Sequence, residues 1–72
     1  PNPANDFINI GSEDLMHSRS AYITIIDLWG RQVMKVPYSE RIDVSMLKAG
    51  IYTVMATINS RPAGHVKLVK NR

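Results

Sequence analysis

The stretch Leu47-Lys48-Ala49-Gly50-Ile51-Tyr52-Thr53-Val54-Met55-Ala56-Thr57-Ile58 constrains the chain more than any other. From Ile51 onward it is β-branched, aromatic or aliphatic almost throughout, a composition that suits a pleated, half-buried surface. Side chains alternate across a strand, so Tyr52, Val54, Ala56 and Ile58 share one face, and Ile51, Thr53, Met55 and Thr57 share the other. The first set reads as a core face. The Leu-Lys-Ala turn before it delivers the chain to Gly50, which is expected to take a positive φ without a Cβ penalty. The rest of the chain is expected to pack around this strand.

The other segments repeat the pattern on a smaller scale. Pro1 to Asp6 is an extended, turn-rich opening, because proline fixes φ and Asn and Asp cap locally. Phe7 to Ile10 reads as a strand with Ile8 and Ile10 inward. Ser12 to Ser20 is polar apart from Leu15 and Met16; Leu15 stands where a capping box needs an acid or Gln, so this stretch reads as a loop. Ala21 to Asp27 is a strand with Ile23 and Ile25 inward. Leu28-Trp29-Gly30-Arg31 is a hairpin turn, with Gly30 at positive φ and Asp27 accepting from the turn amides. Gln32 to Val36 returns with Val33 inward, and Pro37 stops it or marks it as an edge. Arg41 to Val44 contributes Ile42 and Val44, and Leu47 follows in the next turn. Asn59 to Gly64 reads as a hairpin loop, and His65 to Lys70 as the last strand, with Val66 and Leu68 inward. Short strands at regular spacing with turn signals between them predict an antiparallel sandwich or a small barrel.

With 72 residues the chain makes one domain, and a domain this small buries only about 60% of its unfolded surface. It has no cysteine, hence no disulfide and no thiolate metal site. No apolar run approaches the roughly 20 residues of a membrane helix. The net charge of +3 is spread along the chain, with a mild excess at His65, Lys67, Lys70 and Arg72. Nucleic-acid binding shows a denser basic patch, or aromatics stacked on one face, whereas Phe7, Tyr22, Trp29, Tyr38 and Tyr52 are scattered. The chain begins at Pro1 and is read as a fragment of a longer protein, residues 1–72 forming one domain of it, with no signal peptide in view.

Catalysis has no residue set to stand on. His17 and His65 lie far apart without metal-ligand spacing. Asp6, Glu13, Asp14, Asp27, Glu40 and Asp43 fall mostly in turns, and the serines occur in no Gly-x-Ser-x-Gly elbow. No catalytic, cofactor-binding or metal residue is assigned, and the chain is read as a non-enzyme. Trp29 is expected to be a rim aromatic covering one end of the core; the functional reading is a contact residue on an exposed loop. Tyr52 is expected in the core with its hydroxyl at the edge. Lys67, Lys70 and Arg72 are read as charges guarding a terminal edge strand, which strand addition by a chosen partner would still permit.

Three groups of segments carry a family resemblance. Pro1-Asn2-Pro3 opens into the Phe7–Ile10 strand. Ile23-Thr24-Ile25-Ile26-Asp27-Leu28-Trp29-Gly30-Arg31-Gln32-Val33 has the form V-x-I-x-D-x-x-G-R-x-V. Ile42-Asp43-Val44-Ser45-Met46-Leu47-Lys48-Ala49-Gly50-Ile51-Tyr52 has the form I-D-L-S-x-L-x-x-G-x-Y, and Lys67-Leu68-Val69-Lys70 closes the chain as K-hydrophobe-V-K. In order and spacing these resemble the C-terminal sorting domain of the type IX, or Por, secretion system of Bacteroidetes-type bacteria. The resemblance implies an all-β, immunoglobulin-like antiparallel β-sandwich of about seven short strands. It implies a non-catalytic sorting signal fused to an upstream cargo domain such as a protease or adhesin. An outer-membrane translocon recognises such a domain, and sortase-like processing and attachment machinery then removes it and anchors the cargo to anionic lipopolysaccharide. Localisation would be through the periplasm to the cell surface or outside the cell, with no nucleic-acid partner and no membrane-spanning segment. The residues it marks for recognition are Gly50, Tyr52, Lys67, Leu68, Val69 and Lys70, and as structural motif Pro1, Asn2, Pro3, Asp27, Gly30 and Arg31. The chain departs from the pattern by running on to Asn71-Arg72 and by carrying Arg61-Pro62 in the last loop. The rival reading is an accessory β-sandwich for adhesion or carbohydrate binding, whose deletion would spare export.

Overall fold

A long alternating strand is stable only with neighbours on its edges and a cover over its apolar face. Both are drawn from distant parts of the sequence. The computed structural model describes residues 6–11 and 20–71, together with the backbone of residues 3–4. The loop expected over 12–19, with His17, and the residues Pro1, Asn2 and Arg72 lie outside the described residues. The strands are β1 (Pro3–Ala4), β2 (Phe7–Asn9), β3 (Ala21–Ile26), β4 (Gln32–Pro37), β5 (Arg41–Asp43), β6 (Gly50–Ile58) and β7 (Arg61–Lys70). No helix occurs among the described residues.

Five strands form one sheet in the order β1-β7-β6-β3-β4, and β2 and β5 form a second. Six strands pair antiparallel and carry the fold. Where about seven such strands were expected, the remaining one is a two-residue parallel flank, Pro3 beside Val69 and Ala4 beside Lys70. The all-β, sandwich-like architecture expected from the alternation is the one observed.

The core lies between the sheets. Ile23 and Ile25 from β3, Tyr52 and Val54 from β6 and Leu68 from β7 are buried against Ile42, Val44 and Leu47 from β5 and the turn after it. Ile8, Ile10, Ala56 and Ile58 are half-buried around them, as are Met34 and Val36. Cross-strand register sets these neighbours side by side, Ile25 opposite Val54 and Tyr52 opposite Leu68. Each fully buried aliphatic side chain contributes about 1.5–3 kcal/mol.

Two expected core residues are exposed. The β3–β4 register shifts between Ile25, which faces Met34, and Ile26, which faces Gln32, so Val33 is the extra residue of a β-bulge. The bulge reverses the inward phase of β4, and Met34 and Val36 face the core in place of Val33. Val66 lies opposite buried Val54, yet is 57% exposed. Its face is the inner one, but β1 flanks only Val69 and Lys70, so at Val66 β7 is the open edge of the sheet.

One turn also differs from expectation. The Asn59–Gly64 loop contracts to the two residues Asn59 and Ser60, with φ of 52° and 67°, the left-handed pair that a two-residue hairpin turn demands. Residues 61–64 belong to β7, with a second register shift between the pairs Ala56–Gly64 and Thr57–Pro62. Gly50 has the expected positive φ, 159°, and is the first residue of β6. A Cβ there would meet only the Tyr52 ring at ordinary contact distance, so it is the backbone conformation and not crowding that favours glycine at this position.

Candidate functional site

The end of the sandwich where β3 turns into β4 gathers most of the distinctive residues. Asp27 organises this turn. Its Oδ1 accepts from the Trp29 and Arg31 backbone N–H groups at 2.9 Å, and its Oδ2 accepts from Arg31 Nε at 2.9 Å. The backbone adds Gly30 N–H to Asp27 O at 3.1 Å and Asp27 N–H to Arg31 O at 2.9 Å. Gly30 has φ 80°, in the left-handed region, where a side chain would strain the turn. Desolvation pushes the Asp27 pKa up, but the hydrogen bonds from the Arg31 backbone, the Arg31 side chain and the Trp29 backbone outweigh it and hold the carboxyl below its ordinary value.

Opposite lies the turn from Val44 to Gly50. Leu47 N–H donates to Val44 O at 3.0 Å, and Asp43 Oδ1 accepts from Ser45 N–H at 2.9 Å. The hydrogen bonding of Ser45 to Asp43 lowers the Asp43 pKa, with a smaller contribution from the charge of Arg41. The Tyr52 hydroxyl donates to Lys48 O at 2.7 Å, tying the turn to the strand it feeds. Tyr52 thus lies in the core with its hydroxyl at the edge, as expected.

Between the two turns is a groove of about 490 Å³ with a mostly apolar lining. Leu28 and Trp29 stand on one side, Met46 and Lys48 on the other, and Tyr52 and Leu47 at its base. Trp29 is 78% exposed, so it does not cover the end of the core as the sequence suggests. Its ring instead receives the Arg31 guanidinium, whose carbon is 5.6 Å from the ring centroid. Ile51 is exposed on the non-core face of β6, where alternation puts it, whereas Leu28 and Met46 are exposed and escaped notice in the sequence. The signal that could have found them is an apolar side chain inside a turn, where no strand phase directs it inward.

The residues marked for recognition form one continuous ladder with this end. Gly50 pairs with Lys70, Ile51 with Val69, Tyr52 with Leu68 and Thr53 with Lys67. Val69 is also paired with Pro3, so the proline-rich opening meets the closing strand directly. Asp27 and Arg31 stand across the groove from Gly50 and Tyr52, with Gly30 at positive φ in the turn between them. Lys67 is exposed. Lys70, expected as an exposed edge charge, is 2% exposed. It lies two residues beyond buried Leu68, on the same inward face of β7, and the β1 flank makes this end of β7 an internal strand. The Lys70 ammonium donates to Asn71 O at 3.4 Å.

Among the described residues no group of three His, Asp or Glu side chains is close enough to hold a metal ion. Nor is any helix among them long and apolar enough to cross a membrane. His65 is in β7, exposed and opposite Met55.

The family model described as the secretion system C-terminal sorting domain matches residues 1–71. Neither the curated proteins nor the solved structures give a match.

Proposed function

The chain belongs to the family of type IX secretion system C-terminal sorting domains, and from that premise we propose that it works as a folded address read by the outer-membrane translocon. A cargo domain fused upstream is carried with it through the periplasm to the cell surface or the medium. Sortase-like machinery then removes the domain and attaches the cargo. The chain's own residues do no chemistry in this scheme; they hold a shape.

The observation that carries the reading is the convergence of the motif segments. Pro3, Gly50–Tyr52 and Leu68–Lys70 lie on adjacent strands, and Asp27–Arg31 faces them across the groove. Segments far apart in sequence build one end of the sandwich, which suits a surface recognised as a folded unit. An unfolded or partly paired closing strand would leave backbone groups of β6 unsatisfied and erase that surface.

Deleting residues 67–72 from the cargo-bearing protein should trap the cargo in the periplasm, assayed in periplasmic, surface and medium fractions. Because the deletion also removes Leu68 from the core, a second arm is needed. Residues 1–72 fused behind a periplasmic passenger should move that passenger to the surface or medium. Export of the truncated protein at the wild-type level, or a passenger that stays in the periplasm, would refute the proposal.

A further inference from the structure

We infer that the groove between the Asp27–Arg31 turn and the Val44–Gly50 turn is a docking site for an extended peptide segment that is apolar and flanked by carboxylates. The inference rests on the sorting reading and assigns the segment to the machinery that reads the domain.

The groove is built rather than accidental. Asp27 fixes one wall through three hydrogen bonds, and Asp43, Val44 and Tyr52 fix the other. Rigid walls reduce the ordering cost of binding. Its volume of about 490 Å³ falls within the range of roughly 300–1,000 Å³ typical of ligand clefts. Soluble monomers rarely leave large contiguous apolar patches uncovered, and Trp, Met and Arg are the residue types that interfaces favour. Leu28, Trp29 and Met46 are the most exposed large apolar side chains of the described residues, and all three stand on this one groove.

Charge selects the occupant. The lining carries Arg31 and Lys48 against the single carboxylate of Asp27, and that carboxylate is already bonded to Arg31. Lys48 therefore keeps a cationic rim beside an apolar floor, which favours carboxylates next to bulky apolar side chains. A bilayer surface fits less well. Membrane-surface binding calls for a broad cationic face around the apolar tips, whereas here one of two cations is neutralised and the apolar residues enclose a recess.

Trp29, the only tryptophan of the chain, reports occupancy directly. Its emission should shift to the blue and saturate on titration with the peptide Ac-Asp-Leu-Ile-Leu-Asp-NH2 at low salt. The counterpart Ac-Lys-Leu-Ile-Leu-Lys-NH2 should bind about fivefold more weakly. Lys48→Glu should reverse that preference. Leu28→Ser should weaken both by about tenfold, with an unchanged thermal melt because Leu28 is exposed. Equal binding of the two peptides, no saturable shift with either, or a shift produced only by phosphatidylglycerol vesicles overturns the inference. The sorting reading is tested apart. If Leu28→Ser and Lys48→Glu cargo is exported normally while the 67–72 deletion is trapped, the sorting reading stands and the groove falls. If the groove binds as expected but the deletion is exported, the groove stands and its assignment to sorting falls.

Discussion

Met46 and Leu47 are neighbours in one turn and similar in hydropathy, yet Met46 is 78% exposed and Leu47 7%. The same split recurs between exposed Ile51 and buried Tyr52, and between exposed Val33 and half-buried Met34. In each pair one residue is part of the core, Leu47 and Tyr52 flooring the groove as well, and the other belongs to the groove alone. The core member is covered by the opposing sheet or turn. The groove member points the other way, off a turn, a bulge or the start of a strand. Apolar residues in this molecule thus do two jobs that composition does not separate. Those in the core hold the fold, and those around the groove leave it undisturbed and remain available for contact.

The largest test of that division is Leu47→Ala against Met46→Ala. Removing the buried side chain should cost about 2–5 kcal/mol, while removing the exposed one should stay within about 0.5 kcal/mol. Urea denaturation of the two variants reads the difference, and equal midpoints would dissolve the distinction between core and groove.

Lysine gives a second, smaller contrast. Lys70→Ala should destabilise by about 1–2 kcal/mol, since its stem is buried and its ammonium is hydrogen-bonded. Lys67→Ala should be silent, because exposed charges contribute little. Matching thermal melts for the two would mean that Lys70 is not buried in solution.

The smallest effect concerns the groove wall alone. The folded-state pKa of Asp27 is lowered from its ordinary value of 3.8. Its stabilisation is therefore fully present above that value and is lost as pH falls through the lowered one. The melting-temperature gap between wild type and Asp27→Asn should be constant near neutrality and close below about pH 3.8. A gap that widens in acid would mean the carboxylate is not held by the turn.

Much of the fold was legible because strand alternation has a period of two and turn residues carry their own chemistry. Ile23, Ile25, Val54 and Leu68 could be assigned to the core from spacing, and Asp27 and Gly30 to a turn from residue type. The misplacements share a cause. Val33 was put inward because alternation assumes an unbroken register, and one bulged residue inverts it. Val66 was put inward because alternation gives the face but not whether the strand is an open edge of the sheet at that point. The Asn59–Ser60 turn was drawn too long because Pro62 and Gly64 read as loop residues, although the hairpin accommodates them within β7. The candidate site was half legible: its polar frame, Asp27, Gly30 and Arg31, stood out, while its apolar lining did not.

The sequence by itself determined that this chain is all-β, where its long strand runs, and which family its motifs match. Those properties follow from local preferences and from the order of segments along the chain. Only the tertiary structure decided that Pro3–Ala4 flanks Val69–Lys70, that Lys70 is buried, and that Trp29 faces a groove shared with Met46. Burial is a property of what covers a residue, and in this fold the cover comes from segments too distant in sequence for any local pattern to announce.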